Sequence, residues 1–256
     1  MNEHIDMKIS GSSTMPGGEY GRVSISGAGK VQGSLKCEEL HCSGAAKVHG
    51  DVDCAGELRT NGAGKVDGSA RCGSLSASGA FSAQSVQVEG LASVSGSLRT
   101  EQALTADELR ASGSLEAGSV HCRAFRTSGS CRVSGDIEAE IAVLSGAAEI
   151  GGLLNAETVE ISANRAVHIS AIGGGTIRVL QKDTATVLGI LHTSPGCARI
   201  GSIEGDNIEL ENVEAEIVRG KYVRIGHGCR IGTVEYGENL EAEHGTVRQS
   251  TQTGTK

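Results

Sequence analysis

Glycine-rich segments that carry a lysine are the first residues of this chain whose types and spacing could do chemistry. GAGKVQG (27–33) and GAGKVDG (62–68) superficially resemble phosphate-binding loops, in which backbone N–H groups approach an anion. Their spacing, G-x-G-x-x-x-G, fits neither the dinucleotide-binding nor the Walker pattern, and no helical pattern follows. The related segment GAAKVHG (44–50) indicates a structural corner that recurs along the chain. We therefore expect no nucleotide and no other cofactor.

One histidine lies in a pattern typical of certain acyltransferases. IGHGCRIG (225–232) places two Ile-Gly pairs six residues apart, and hexapeptide-repeat acyltransferases combine that spacing with a catalytic histidine. Only two adjacent hexads match, and no long loop is evident that would build a cleft for an acyl donor. A hexapeptide-type acyltransferase that uses His227 stays as an alternative function, and we nominate no catalytic residue.

The eight cysteines fit neither a disulfide scaffold nor a zinc ribbon. The chain contains no C-x-x-C and no secretion signal. His41 and His121 each precede a cysteine, but neighbouring strand residues point to opposite faces and would not ligate one metal. We expect reduced thiols and no bound metal.

Composition excludes a thick globular core. Of 256 residues, 38 are Gly, 2 are Phe, 3 are Tyr and none is Trp, which predicts a fold with a narrow interior. A net charge of -8 without a basic block disfavours nucleic-acid binding. The polar start MNEHIDMKIS and the lack of a long apolar stretch predict a cytoplasmic protein, with no evident signal for attachment to a membrane surface.

A repeat of about 17 residues organises the sequence. Pairs of Ser-Gly or Asn-Gly recur every 16–18 residues, ending at Gly27, Gly44, Gly62, Gly79, Gly96, Gly113, Gly129 and Gly146. Between them, apolar residues alternate with polar ones over short runs, which indicates strands, and two-residue gaps indicate corners. Three short strands and three corners per repeat predict an all-β fold: a triangular parallel β-helix, or solenoid, with about 17 residues per rung.

This fold predicts which residues stack inside. Three interior columns follow from the repeat: Val31, Val48 and Val66; Leu40, Leu58 and Leu75; Cys37, Cys54 and Cys72. The cysteines are expected to pack there as small apolar side chains.

The repeat also suggests a division of the chain. We expect a flexible N-terminal tail over 1–19, a regular β-helix over 20–170 and an irregular interruption over 171–196. A second solenoid-like section follows over 197–247, where RIGSIEGDNIEL (199–210) is echoed by RIGTVEYGENLE (230–241), and 248–256 form a polar tail.

Three lysines share one position of the repeat. Lys30, Lys47 and Lys65 are expected to form an outward column with about 5 Å between neighbours. Such a column is either a solvated face or a contact strip for an anionic partner. The second interpretation is compatible with a monomeric β-helix that serves as a binding module.

A parallel coil leaves unpaired backbone groups on its first and last rungs. The sequence shows no amphipathic cap at either end, so we expect copies of the chain to pair end to end. The candidate self-assembly residues are Val23 and Ile25 on the first rung and Val234 and Leu240 near the last.

The repeat resembles that of the bactofilins, bacterial cytoskeletal proteins. SGAGKVQGSLKCEELHCSG (26–44) and GDIEAEIAVLSGAAEIGGLLNAETVEI (135–161) carry the resemblance, which covers roughly residues 20–165 and is nearest to the longer forms of Gram-positive bacteria. It implies a right-handed β-helix, in accord with the usual hand of parallel crossovers. It also implies filaments that form without nucleotide and position other proteins at the cytoplasmic side of the membrane.

We therefore predict a non-enzymatic polymer-forming scaffold that acts in cell shape or motility-organelle assembly. Its expected partners are further copies of itself, a paralogue and unidentified client proteins, with no nucleic acid.

Overall fold

Short parallel β-strands build the protein. The computed structural model describes residues 5–162, 165–181, 197–243 and 245–253, and no helix occurs among them. The chain divides after Phe125 into two units, each of which is a parallel β-solenoid. This division falls inside residues 20–170, which the sequence suggested were one regular section.

The first unit begins with one short strand and two long strands, and it continues with shorter ones. Its strands are β1 (Met7–Ile9), β2 (Ser12–Ile25), β3 (Ala28–Cys42), β4 (Ala45–Val48), β5 (Val52–Thr60), β6 (Ala63–Val66), β7 (Ser69–Ala77), β8 (Ala80–Ala83), β9 (Ser85–Val88), β10 (Leu91–Val94), β11 (Ser97–Thr100), β12 (Ala103–Ala111), β13 (Ser114–Ala117) and most of β14 (Ser119–Thr127).

Three strands complete one turn of this solenoid. β8, β9 and β10 follow one another along the chain, and β11 then pairs in parallel with β8, so that Ser97 lies beside Ala80 and Leu98 beside Phe81. This arrangement confirms the predicted all-β parallel fold with about 17 residues per turn. The corners between these strands take only one or two residues.

The interior of the first unit is made of stacked apolar columns. Val31 pairs with Val48 and Val48 with Val66, while Leu40, Leu58 and Leu75 align in the same way. Cys37, Cys54 and Cys72 form the third column. All nine side chains are buried, so the predicted columns are confirmed. Period-two alternation sets the inward face, and the repeat length sets which residues stack.

The second unit, residues 126–256, is built the same way with longer strands. Its strands are β15 (Ser130–Val133), β16 (Ile137–Leu144), β17 (Ala147–Ser162), β18 (Val167–Leu180), β19 (Ala198–Leu210), β20 (Val213–Ile225), β21 (Arg230–Ala242) and β22 (Thr246–Gln252). Successive strands from β17 to β22 pair in parallel.

Turns near the C-terminus are shorter than 17 residues. Arg199 pairs with Glu214, and Glu214 with Arg230, so each of these turns takes 15 or 16 residues. The echo between 199–210 and 230–241 therefore joins strands two turns apart. The turn between them contains β20. Its sequence differs from both segments, although the same positions point inward, so the repeat was not recognised there.

Strands occur where the sequence suggested tails and an interruption. β1 and much of β2 lie within 1–19, because Met7 and Ile9 point inward and are buried although their neighbours are polar. β18 continues in register with β17 to Leu180, inside the expected interruption, and β22 covers residues 248–252 of the expected tail 248–256. Residues 182–196, the rest of the interruption, lie outside the described residues.

Candidate functional site

The N-terminal turn places the first pair of predicted assembly residues in the interior. Val23 and Ile25 are fully buried, and they pair with Met7 and Ile9 of β1. The expectation that they lie on the first rung is therefore wrong. A run of only three strand residues, MKI (7–9), adds one more turn, which is too short a pattern to recognise in a polar segment.

The outermost edge at this end belongs to residues 7–20. β1 pairs with β2, and β2 from Ser12 onward pairs with β3. In the described part of the chain, no strand lies on the other side of either segment. Ile5, beside this edge, leaves 78% of its surface exposed. Backbone donors and acceptors along the edge are thus open to a further strand.

The C-terminal turn separates the other two predicted residues. Val234 is fully buried and pairs with Ser250 of β22, so it does not lie on the last turn. Leu240 is half-buried and pairs with Val223 on one side. Within 5–162, 165–181, 197–243 and 245–253, no strand covers the other side of Asn239–Ala242. Leu240 therefore lies at an open edge, and its part in self-assembly stays a prediction.

The predicted lysine column is present in the first unit. Lys30 pairs with Lys47 and Lys47 with Lys65, one residue per turn. Lys47 Nζ lies 3.5 Å from Asp67 Oδ2, and His49 Nδ1 lies 2.8 Å from the same oxygen. Partial burial works against ionisation of Asp67, but Lys47 and His49 outweigh it and lower the pKa of the carboxyl group. The three lysines are brought together on one face.

His227 lies in the short loop between β20 and β21. Its side chain is 59% exposed, and its Nδ1 is 3.8 Å from Glu211 Oε1. The adjacent cavity holds about 100 Å³, whereas ligand pockets commonly hold about 300–1,000 Å³. Among the described residues, nothing beside His227 forms a cleft large enough for an acyl donor.

Burial keeps most of the thiols unreactive. Seven of the eight cysteines are buried, and Cys197 is exposed. Burial raises the pKa of Cys72, Cys122 and Cys131 to about 12. Among the described residues, no group of three His, Cys, Asp or Glu side chains is arranged to hold a metal ion. That same part of the chain contains no helix long and apolar enough to cross a membrane.

Comparison with known proteins identifies the N-terminal part of the chain. Residues 2–87 match the family model of the bactofilins, described as polymer-forming cytoskeletal proteins. These residues are therefore similar to the bactofilins. The match confirms the family resemblance, although it ends earlier than the 20–165 over which the sequence motifs were noted. The description of the family names two properties, polymer formation and a place in the cytoskeleton.

Two uncharacterised relatives from Bacillus subtilis (strain 168) are similar to the chain. YhbF is 35% identical over 103 residues, covering 40% of this chain and 42% of the relative. YhbE is 36% identical over 111 residues, covering 42% and 44%. The chain thus spans less than half the length of either relative. No solved structure matches the chain.

The segment that matches the family model, residues 2–87, contains both the N-terminal open edge and the lysine column. Sequence reasoning found the column because identical residues recur at the repeat length. It missed the edge because the first turn of a solenoid has the same sequence pattern as a later turn. The alternation of Met7 and Ile9 was the available signal.

Proposed function

We propose that this protein is a non-enzymatic scaffold whose copies polymerise end to end through their terminal turns, without nucleotide. The unpaired edge at residues 7–20 carries the proposal. A parallel strand with a free edge is a template for another strand, and natural proteins usually block such edges. The match to the bactofilin family model supports the same conclusion, because the family is polymer-forming.

The two ends offer different contacts. Near the N-terminal edge, Ile5 presents an apolar side chain to solvent. At the C-terminal edge, Leu240 is half-buried, and β22 carries mostly exposed polar residues. The N-terminal edge is therefore the stronger candidate for the first contact between copies.

The proposed cellular role is supported by the family match rather than by geometry. We place the polymer in the cytoplasm at the inner face of the membrane, where it positions client proteins in cell shape or motility-organelle assembly. Two related proteins of one organism match this chain, which supports a paralogue as a candidate co-assembling subunit. An acyltransferase role for His227 draws no support from its small cavity.

Electron microscopy of the full-length, reduced protein without nucleotide tests this function. We expect filaments from the native chain. Replacing Ile5→Lys should raise the protein concentration needed for assembly about tenfold, since each tenfold corresponds to about 1.4 kcal/mol of contact energy. The matched control is Leu91→Lys, which changes a partly exposed leucine in β10, away from either edge.

Sedimentation velocity distinguishes the outcomes. A native chain that remains monomeric at all concentrations would contradict polymerisation. Equal effects of Ile5→Lys and Leu91→Lys would leave polymerisation intact but remove the N-terminal edge as the contact. Full assembly by His227→Ala is expected, because that side chain lies on neither edge.

A further inference from the structure

Outward charges in both solenoids usually alternate in sign from one turn to the next. In the first unit, one column reads Glu19, Lys36, Asp53 and Arg71. In the second unit, another reads Glu160, Arg178, Glu209, Arg224 and Glu241. Neighbours in a column are about 4.8 Å apart, so opposite signs attract and like signs repel. Alternation is therefore the stabilising arrangement.

The lysine column breaks this rule. Lys30, Lys47 and Lys65 lie in direct register with no acidic residue between them. Lys47 shares Asp67 with His49, whereas Lys30 and Lys65 form no ion pair with any residue that the structure describes. Ser82 and then Arg99 continue the column, and Arg99 is paired with Glu116 at 3.2 Å. Two ammonium groups are thus left for an external anion.

A shallow groove runs beside the lysines. Its floor is a second column, of Ala28, Ala45, Ala63 and Ala80, each directly beside the next. The groove holds about 610 Å³ and extends from Ser12 at one end to Arg99 at the other. Methyl groups on the floor leave room for a main chain to approach the sheet, and the lysines form one wall.

We propose that this groove binds an extended acidic peptide segment of a partner protein. Four steps of about 4.8 Å separate Lys30 from Arg99, which is the length of about six residues of extended chain. Alternate side chains of such a segment point the same way, so carboxylates on every second residue face the lysine wall. Small side chains between them point away from the lysines, and the peptide main chain lies over the alanines.

Two other anionic partners fit the groove less well. A membrane surface would gain little, because the outward residues of both columns are alanine, lysine, serine and arginine, with no large apolar side chain to insert. A nucleic acid would face the net charge of -8 of the whole chain. Asp67 beside Lys47 also limits the local positive charge, which suits a short peptide better than a long polyanion.

Fluorescence anisotropy with a labelled Glu-Ala-Glu-Ala-Glu-Ala peptide tests the proposal on the full chain. We expect binding that weakens with added salt and that a Gln-Ala-Gln-Ala-Gln-Ala peptide lacks. The double variant Lys30→Gln, Lys65→Gln should bind about tenfold more weakly, since each exposed charge pair contributes up to about fivefold. The matched control, Lys36→Gln with Arg71→Gln, removes two charges from an alternating column and should change binding less than about twofold.

Several results would overturn the proposal. Equal losses in the two double variants would indicate general electrostatic attraction. The native chain could instead co-sediment with phosphatidylglycerol vesicles and bind no peptide. If replacing the lysines abolished that co-sedimentation, the face would be assigned to lipid. Filaments should form as usual from Lys30→Gln, Lys65→Gln, so a failure of peptide binding is distinct from a failure of polymerisation.

Discussion

Corner glycines hold adjacent turns of the first unit at backbone contact. A Cβ on Gly79 would lie well inside the van der Waals radius of the Gly62 carbonyl oxygen, and one on Gly62 would do the same to Gly44. The backbone is fixed there, because Gly79 N–H donates to the Thr60 carbonyl and Ala80 N–H to the Gly62 carbonyl, at 3.1 and 2.9 Å. The recurrent Ser-Gly and Asn-Gly pairs are thus a steric requirement of the stacked turn.

Gly79→Ala should destabilise the protein by about 3 kcal/mol, because the added methyl group forces two hydrogen-bonded turns apart. The midpoint of thermal unfolding measures the effect. The matched control is Gly11→Ala, since no atom lies within 4 Å of the Cβ it would add. That variant should change stability by less than about 1 kcal/mol; comparable losses in both would contradict the steric explanation.

At the scale of the strands, each outward column contributes through the charges of its neighbours. Lys36 Nζ lies 3.1 Å from Glu19 Oε1, and Arg132 Nε lies 2.9 Å from Glu149 Oε2, each pair joining adjacent turns. Such exposed pairs each contribute little, but they recur at many turns. The lysine column lacks ion pairs between its neighbouring residues. A substitution that introduces one should therefore raise the stability of the protein.

Lys65→Glu should stabilise the first unit by about 0.5 kcal/mol, since the new carboxylate lies beside Lys47 as in an alternating column. Urea unfolding at low ionic strength measures the gain, which should fade in about 1 M salt. Lys36→Glu places a carboxylate between Glu19 and Asp53 and should cost a similar amount. A stabilising Lys36→Glu would show that column charges do not act through their neighbours.

Some features of the strands could be predicted from the sequence, and others could not. The three interior columns and the lysine column were predictable, because alternation and repeat length are both local properties of the sequence. Burial of Val23 and Val234 was not, since it depends on whether one more turn follows beyond them. The turn that contains β20 was missed because its residues differ from those of 199–210 and 230–241, although the same positions point inward.

At the scale of the whole molecule, each solenoid is a stack in which a turn contacts mainly its two neighbours. Stability in such a stack is approximately a sum over turns and the contacts between them. Removing one complete turn should therefore shorten the first unit without unfolding it. Removing part of a turn should reverse which side chains face the interior.

Deletion of residues 80–96 tests this additivity. The deletion joins Gly79 to Ser97, which takes the place of Ala80 because the two already occupy the same register. We expect a folded, β-rich protein by circular dichroism, with a lower but cooperative unfolding transition. The matched control removes 80–87, about half a turn, and should not fold; a folded product from that control would contradict the register argument.

The three-strand turn also has a genetic consequence. A tandem duplication or loss of about seventeen codons inside the first unit gives a chain whose inward and outward residues are unchanged. Slippage between the similar segments that encode neighbouring turns supplies such events directly. Descendants of one ancestral gene are thus expected to differ in length by whole turns. The boundaries of the inserted or deleted segments should lie at the corner glycines.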